Sequence, residues 1–128
     1  MVIDSSALIA ILLQEPERGP FIDAISTADR CLLSTANYVE TTLVIESRLG
    51  EEGGRELELL IAKAQIELVP ISAEMAEVAR TAWRKYGKGR HPASLNFGDC
   101  FSYALAKISG NSLLFKGNDF SQTDLVPA

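Results

Sequence analysis

Four short apolar runs, Val2-Ile3, Cys31 to Leu33, Ile66 to Val69 and Ser112 to Phe115, are separated along this chain by pairs of helical stretches. Strands joined through helices cannot close as hairpins, so they run parallel, with crossovers of one hand covering both faces of the sheet. The expected fold class is therefore α/β: a parallel β-sheet of four to five strands flanked by helices on both faces. Leu125-Val126 would supply the short fifth strand. A chain of 128 residues fits one domain, residues 1–128, burying roughly two-thirds of its unfolded surface. In such sheets, ligands bind outside the carboxyl ends of the strands.

Capping residues and apolar periodicity place the helices. Ser5 or Ser6 caps a first helix through Leu13, which Glu15-Pro16 terminates. Pro20 suits the first turn of a second, with Phe21, Ala24, Ile25 and Ala28 on its apolar face. Ser34 or Thr35 caps a third, which carries Tyr38, Val39, Leu43 and Leu49 and stops at Gly50. Arg55 to Gln65 reads as a fourth, with Leu57, Leu60, Ile61 and Ala64 on one side. Ser72 opens a fifth whose Met75, Val78, Ala79, Ala82, Trp83 and Tyr86 form a core stripe, and Asn96 caps a sixth to about Ser109.

Several function classes are set aside by composition. The longest apolar run, Ala7 to Leu13, falls short of the roughly 20 residues that span a bilayer and follows an acidic start unlike that of a signal peptide. A soluble cytoplasmic protein without a membrane partner is expected. Cys31 and Cys100 are read as buried, reduced thiols, since two cysteines make no disulfide framework. A net charge of −5 argues against a general electrostatic grip on nucleic acid. Locally, however, Arg80, Arg84, Lys85, Lys88 and Arg90 occupy a stretch without acids that leads towards Asp99. Such a patch either holds phosphates or complements a helix dipole.

The chemistry lies in four acids, Asp4, Glu40, Asp99 and Asp119, each just past an expected strand or within a helix near the same sheet edge. Oxygen ligands without a Cys and His cluster favour hard cations, Mg²⁺ or Mn²⁺. Each acid also has an ordinary explanation: Asp4 as an N-cap, Glu40 as a solvated helix residue, Asp99 as a first-turn acid and Asp119 as a turn former. Ser5 and Ser6 can take over the capping and leave Asp4 free. Glu40 shares a helix side with Leu43 and Val44, which would turn it inward. Gly98 permits close backbone approach beside Asp99. His91 matches no motif residue, so a phosphate contact or plain solvent exposure is expected there, and Lys116 either contacts phosphate or ends a strand.

These residues sit in recognisable strings: Val2-Ile3-Asp4-Ser5-Ser6-Ala7, Glu40 on the third helix, Asn96-Phe97-Gly98-Asp99-Cys100 leading to Tyr103-Ala104-Leu105-Ala106, and Leu114-Phe115-Lys116-Gly117-Asn118-Asp119-Phe120. Over nearly its whole length the chain resembles PIN-domain proteins, specifically VapC-type ribonuclease toxins. The resemblance implies Mg²⁺-dependent endoribonuclease cleavage of RNA with Asp4, Glu40 and Asp99 as the acidic core and Asp119, or its neighbour Asn118, as a fourth position. It implies Asp4 and Asp99 as direct metal ligands and Ser6 as a holder of a ligand or water. In that setting Ser6, Arg84, Lys85, Lys88 and Arg90 are the candidate substrate-binding residues.

The family further implies a cognate VapB-type antitoxin, a homodimer and a toxin–antitoxin hetero-oligomer. Leu8, Ile11, Leu12, Leu43 and Leu49 are candidates for the antitoxin surface, and the Trp83 helix for the dimer. A catalytically silent PIN-like protein-binding module is the alternative, which loss of a core acid would favour. A response-regulator receiver wants a second acid where Ser5 stands and an acceptor Asp between Asp29 and Asp99, and a haloacid-dehalogenase phosphatase wants Asp-x-Asp at the first strand. Neither pattern is met.

Overall fold

Strands β1 (Val2–Ile3), β2 (Cys31–Ser34), β3 (Ile66–Val69) and β4 (Leu113–Leu114) of the computed structural model, which describes residues 1–128, pair in parallel in the order β3-β2-β1-β4. The helices are α1 (Ser5–Leu12), α2 (Arg18–Thr27), α3 (Thr35–Leu49), α4 (Glu51–Ala64), α5 (Ala73–Tyr86) and α6 (Phe97–Ser109). Register places Val2 opposite both Leu32 and Leu113, and Ile3 opposite Leu114. Connections leave β1 towards β2 on one side and reach β4 on the other. The order therefore reverses at β1, which marks the crevice beyond its carboxyl end as a ligand position.

Alternation along each strand divides the core in two. Val2, Leu32 and Leu113 pack with Met75, Ala79 and Tyr86 of α5 and with Tyr103 and Ala104 of α6. Ile3, Cys31, Leu33 and Leu114 pack with Leu8 and Ile11 of α1, Ile25 of α2 and Leu57 of α4. Val2, Ile3, Leu33 and Leu113 are wholly inaccessible, and each such side chain contributes about 1.5–3 kcal/mol by burial. The sheet centre is thus the most firmly held part of the chain, and Asp4 follows it directly. No helix is long and apolar enough to cross a membrane. Both cysteines are free and buried, as expected.

Caps at Ser34, Ser72 and Asn96 stand where expected, each accepting a backbone N–H from three residues on. Five local expectations are corrected. The N-cap of α1 is Asp4 itself, whose Oδ2 accepts the Ser6 N–H at 3.0 Å, so Ser5 and Ser6 do not displace it. The inward stripe of α3 is Asn37, Thr41 and Ile45, whereas Val39, Leu43 and Leu49 are exposed. Helix α4 begins at Glu51, not Arg55, because Gly50 at φ +70° ends α3 and starts the next helix without a loop. At the carboxyl terminus, Leu125-Val126 makes no strand: pairing is reduced to one parallel bridge between Leu113 and Pro127, with Pro127 lacking the N–H to extend it. Trp83, expected in the core stripe, is 43% exposed, with the Arg90 guanidinium 4.2 Å from its ring centre.

The tight α3–α4 corner depends on Gly53, where a Cβ would stand 2.5 Å from Ile45 Cγ2 and 2.9 Å from Leu49 Cβ. Gly53→Ala should therefore destabilise the protein by about 1–3 kcal/mol despite the better helix propensity of alanine. Urea unfolding of the variant measures this, and an unchanged or raised midpoint would mean that the corner is not closely packed.

Candidate active site at the carboxyl edge of the sheet

Asp4 is 3% and Asp99 9% exposed, so both carboxyl groups are withdrawn from water at the end of β1 and in the first turn of α6. Each is held by donors. Asp4 Oδ1 accepts the Ser102 hydroxyl at 2.5 Å and its Oδ2 accepts the Ser6 N–H at 3.0 Å. Asp99 Oδ2 accepts the Asn96 N–H at 3.0 Å, while Asn96 Oδ1 accepts the Asp99 N–H at 2.9 Å, a reciprocal capping box. Ser102 lies three residues beyond Asp99 on the same helix face, and that spacing brings the two strings of the motif together.

Burial pushes the Asp99 carboxyl up to about 7; the Asp4 charge raises it further, the Asn96 N–H works in the opposite direction, and Asp119 and Glu40 add smaller repulsions. All four expected acids are thus within electrostatic reach of one point. They are not equivalent. Glu40 is half-buried on α3, and Asp119 is exposed at the entry to a 3₁₀ turn, Phe120–Gln122, with no capping hydrogen bond. Asn118, its neighbour, is exposed and uses its carbonyl to accept the Ser121 hydroxyl.

Glu40 reaches the site by a different route from the one expected. Its supposed partner Leu43 is 66% exposed, so an apolar face does not turn the carboxylate inward. Asn37 does. Fully buried one turn earlier, it donates through Nδ2 to the Gly98 carbonyl at 3.0 Å and towards Glu40 Oε1 at 3.4 Å, while its Oδ1 accepts the Ser34 hydroxyl at 2.5 Å. Ser5 and Thr41 donate to the Asn37 carbonyl at 3.2 and 2.7 Å. Asn37 therefore ties α1, β2, α3 and α6 into a satisfied polar network. The Glu40 carboxylate rests against Gly98, where a Cβ would collide with it.

Asn37 and Ser102 were not singled out from the sequence. A polar residue within a helix ordinarily points to solvent, and only the three-residue spacings Asn37–Glu40 and Asp99–Ser102 carried a signal. Ser6 joins the site as expected, though its Oγ is engaged in accepting the Lys116 N–H at 2.9 Å. That bond fixes the loop after β4, and Lys116 itself turns away to Glu15 at 3.1 Å and Glu17 at 3.6 Å.

No ion pair links the expected cations to the four acids. Arg80 bonds Glu77, Arg90 stacks on Trp83 and Lys85 sits 5.0 Å over the Tyr86 ring. Arg84, like Arg80, lines a groove that also takes in Phe97 and Cys100 of α6, and Lys88 is exposed in the following loop. His91 is structural: its Nδ1 accepts the Ala93 N–H at 3.0 Å and its ring packs edge-on against Tyr86.

Does this donor set fit a metal ion? Every polar group at the edge is oxygen or amide, and the nearby Cys100 thiol is pushed up to about 11 by burial and the Asp99 charge, so it stays protonated. A soft metal is disfavoured. No three carboxylates close around one point, which suits a cation that retains much of its water and takes one or two protein carboxylates. The residues present fit Mg²⁺ or Mn²⁺.

The raised Asp99 value fixes a pH dependence. Its folded-state value of about 7 lies above that of an unfolded aspartate, so the native state holds the proton more tightly between the two. Stability of the metal-free protein should fall as pH rises from 4 to 7 through this group, by on the order of 3 kcal/mol, and level off above. Asp99→Asn should flatten that slope in urea unfolding series. Equal slopes for the two proteins would show that Asp99 ionises as it does in water.

Comparison with known proteins identifies the family. Residues 1–125 match the family model described as PIN domain. Ribonuclease VapC30 of Mycobacterium tuberculosis is 58% identical over 126 residues, which cover 98% of this chain and 96% of the relative. Among solved structures, VapC20 of Mycobacterium tuberculosis, described as a sarcin-ricin loop cleaving toxin, superposes with a TM-score of 0.81 over 99% of this chain and 97% of its own at 16% identity. VapBC2 of Rickettsia felis, bound to a DNA fragment from its promoter, gives 0.75 over 99% and 96% at 12% identity. The two structures show the shared fold; the family model and the close relative carry the assignment. This chain belongs to the PIN-domain family, among its VapC-type ribonuclease toxins.

Proposed function

We infer that the chain is a Mg²⁺-dependent endoribonuclease, with Mn²⁺ as a possible substitute, that serves as the toxin of a type II toxin–antitoxin pair. The observation that carries this reading is the burial of Asp4 and Asp99 side by side at the crevice beyond β1, each anchored by donors and each with lone pairs still free. When bound, the cation supplies charge neutralisation at the scissile phosphate and acidification of water.

Asp4 and Asp99 are the proposed cation holders. Ser102 and the Ser6 N–H orient the first and the Asn96 N–H the second, so neither rotates away from the other. Glu40, aimed by Asn37 and half-exposed, accepts a hydrogen bond from the attacking water and sets its line of approach. Asp119 contributes negative potential at the mouth, while Asn118 beside it offers a neutral donor to the RNA. The Ser6 hydroxyl proton is free to bind substrate. Arg84, Lys85, Lys88 and Arg90 hold phosphates flanking the cut. The acids alone would repel RNA, so the cations and the bound metal together make the crevice receptive.

The partners we propose are RNA, a VapB-type antitoxin and a second copy of the chain. VapC30 is named a ribonuclease, and a solved structure of the same fold is a toxin–antitoxin complex from Klebsiella pneumoniae. Of the expected antitoxin surface, Leu8 and Ile11 are spent in the core, whereas Leu43 and Leu49 are exposed together with Val39. An amphipathic antitoxin helix is proposed to cover this outer face of α3.

Cleavage of total cellular RNA by purified protein, freed of antitoxin, tests the reading. Discrete products should form with Mg²⁺ and vanish with chelator. Asp4→Ala and Asp99→Ala should each lower the rate at least about 100-fold. Undiminished cleavage by both variants would overturn the assignment of the acids. A folded wild type that binds no divalent ion would favour a protein-binding role.

A further inference from the structure

Helices α5 and α6 leave between them a groove of about 520 Å³ whose floor includes Ala76 and Ala79 and whose walls carry Trp83, Phe97 and Phe101. That volume falls in the roughly 300–1,000 Å³ range of small-ligand clefts. Phe97 is 78% exposed and Trp83 43%, although both are large aromatic rings with ample apolar surface nearby. Phe101 braces Phe97 edge-on, with ring centres 5.0 Å apart, so the exposed ring is held in place. Cationic groups rim the groove: Arg84 lines it, and Arg90 lies over the Trp83 ring. From Val78 to Gly98 the chain carries five cations and no acid, within a protein of net charge −5.

We propose that this groove is a nucleobase subsite, in which Phe97 and Trp83 stack an unpaired base adjoining the scissile phosphate while Arg84 holds the next phosphate. The inference rests on the ribonuclease reading above and extends it from phosphodiester chemistry to recognition of single-stranded RNA. Single-stranded RNA alternates a flat apolar face with a negative charge, and this groove alternates aromatic rings with guanidinium groups in the same way. A second copy related by a two-fold axis through the groove would instead bring two cationic rims together. Phe97 stands in the first turn of α6, two residues before Asp99, so a strand that runs over the end of this helix joins the groove to the acidic edge. Phe97 is a specificity-determining residue in this account, not a catalytic one.

Trp83 is the single tryptophan of the chain, so its emission reports occupancy of the groove. The test uses the full chain as Asp4→Asn, which keeps an N-cap side chain and prevents cleavage during titration in Mg²⁺. Oligoadenylate of eight nucleotides should quench Trp83 saturably, and an abasic sugar-phosphate chain of the same length should not. Phe97→Leu, which preserves apolar bulk, should weaken oligoadenylate binding about tenfold, and Phe97→Tyr should restore it. In the otherwise wild-type enzyme, Phe97→Leu should raise KM for RNA with little change in kcat. Cleavage by wild type with neither quenching nor an effect of Phe97→Leu would overturn the subsite and leave the nuclease reading intact. Quenching that depends on Phe97 in a protein that never cleaves would uphold the subsite and sink the nuclease reading. Trp83 emission that shifts with protein concentration as a dimer forms, and is insensitive to oligoadenylate, would give the groove to a second copy.

Discussion

Asp4 and Asp99 repel each other across a crevice from which water is largely excluded, and the rest of the edge is arranged to hold them there. Separated in water, each would ionise freely. At the end of β1, burial first and the Asp4 charge second raise the Asp99 carboxyl to about 7. Their donors, the Ser102 hydroxyl and the Ser6 and Asn96 N–H groups, offset part of that cost, but none carries a full positive charge. Lys116, whose backbone N–H bonds Ser6, extends its side chain to Glu15 and Glu17 instead. No lysine or arginine forms an ion pair with Asp4 or Asp99.

Rigidity comes from beneath and from the side. Fully buried Val2 and Ile3 fix the point from which Asp4 emerges, and pairing of β1 with both β2 and β4 leaves that strand no freedom to shift. From the side, Asn37 joins α3 to the Gly98 carbonyl and so sets the distance between Glu40 and the first turn of α6. Gly98 is required by contact: its missing Cβ is the space that the Glu40 carboxylate fills. Asp4, Glu40 and Asp99 are each fixed to a different element, the end of β1, α3 and α6, whereas Asp119 stands in the exposed turn after β4.

The strand positions and the parallel order were legible because short apolar runs between capped helices admit few other arrangements. Asp4 and Asp99 were legible because an acid directly after a buried strand, or directly after a helix cap, has its direction set by the backbone. Glu40 was placed correctly for the wrong reason. Periodicity assigned Leu43 to the core, but α3 buries Asn37 and Thr41 instead, since the surface beneath it is the polar edge of the sheet. Buried amides and hydroxyls satisfied by distant partners leave no trace in a hydropathy pattern, which is why Asn37, Ser102 and the exposed ring of Phe97 emerged only in three dimensions. The cap of α1 was missed through a related assumption, that a carboxylate cannot both cap a helix and face a ligand; Asp4 has enough lone pairs for both.

If Asp4 and Asp99 together hold a divalent ion, its binding must displace the proton that burial and the Asp4 charge favour on Asp99. Calorimetric titration of Mn²⁺ into the metal-free protein near pH 7, in buffers of different ionisation enthalpy, measures this directly. The account predicts binding accompanied by release of a fraction of a proton, with Asp99→Asn abolishing the release and weakening the binding. Binding without proton release, or binding indifferent to both Asp4 and Asp99, would contradict it.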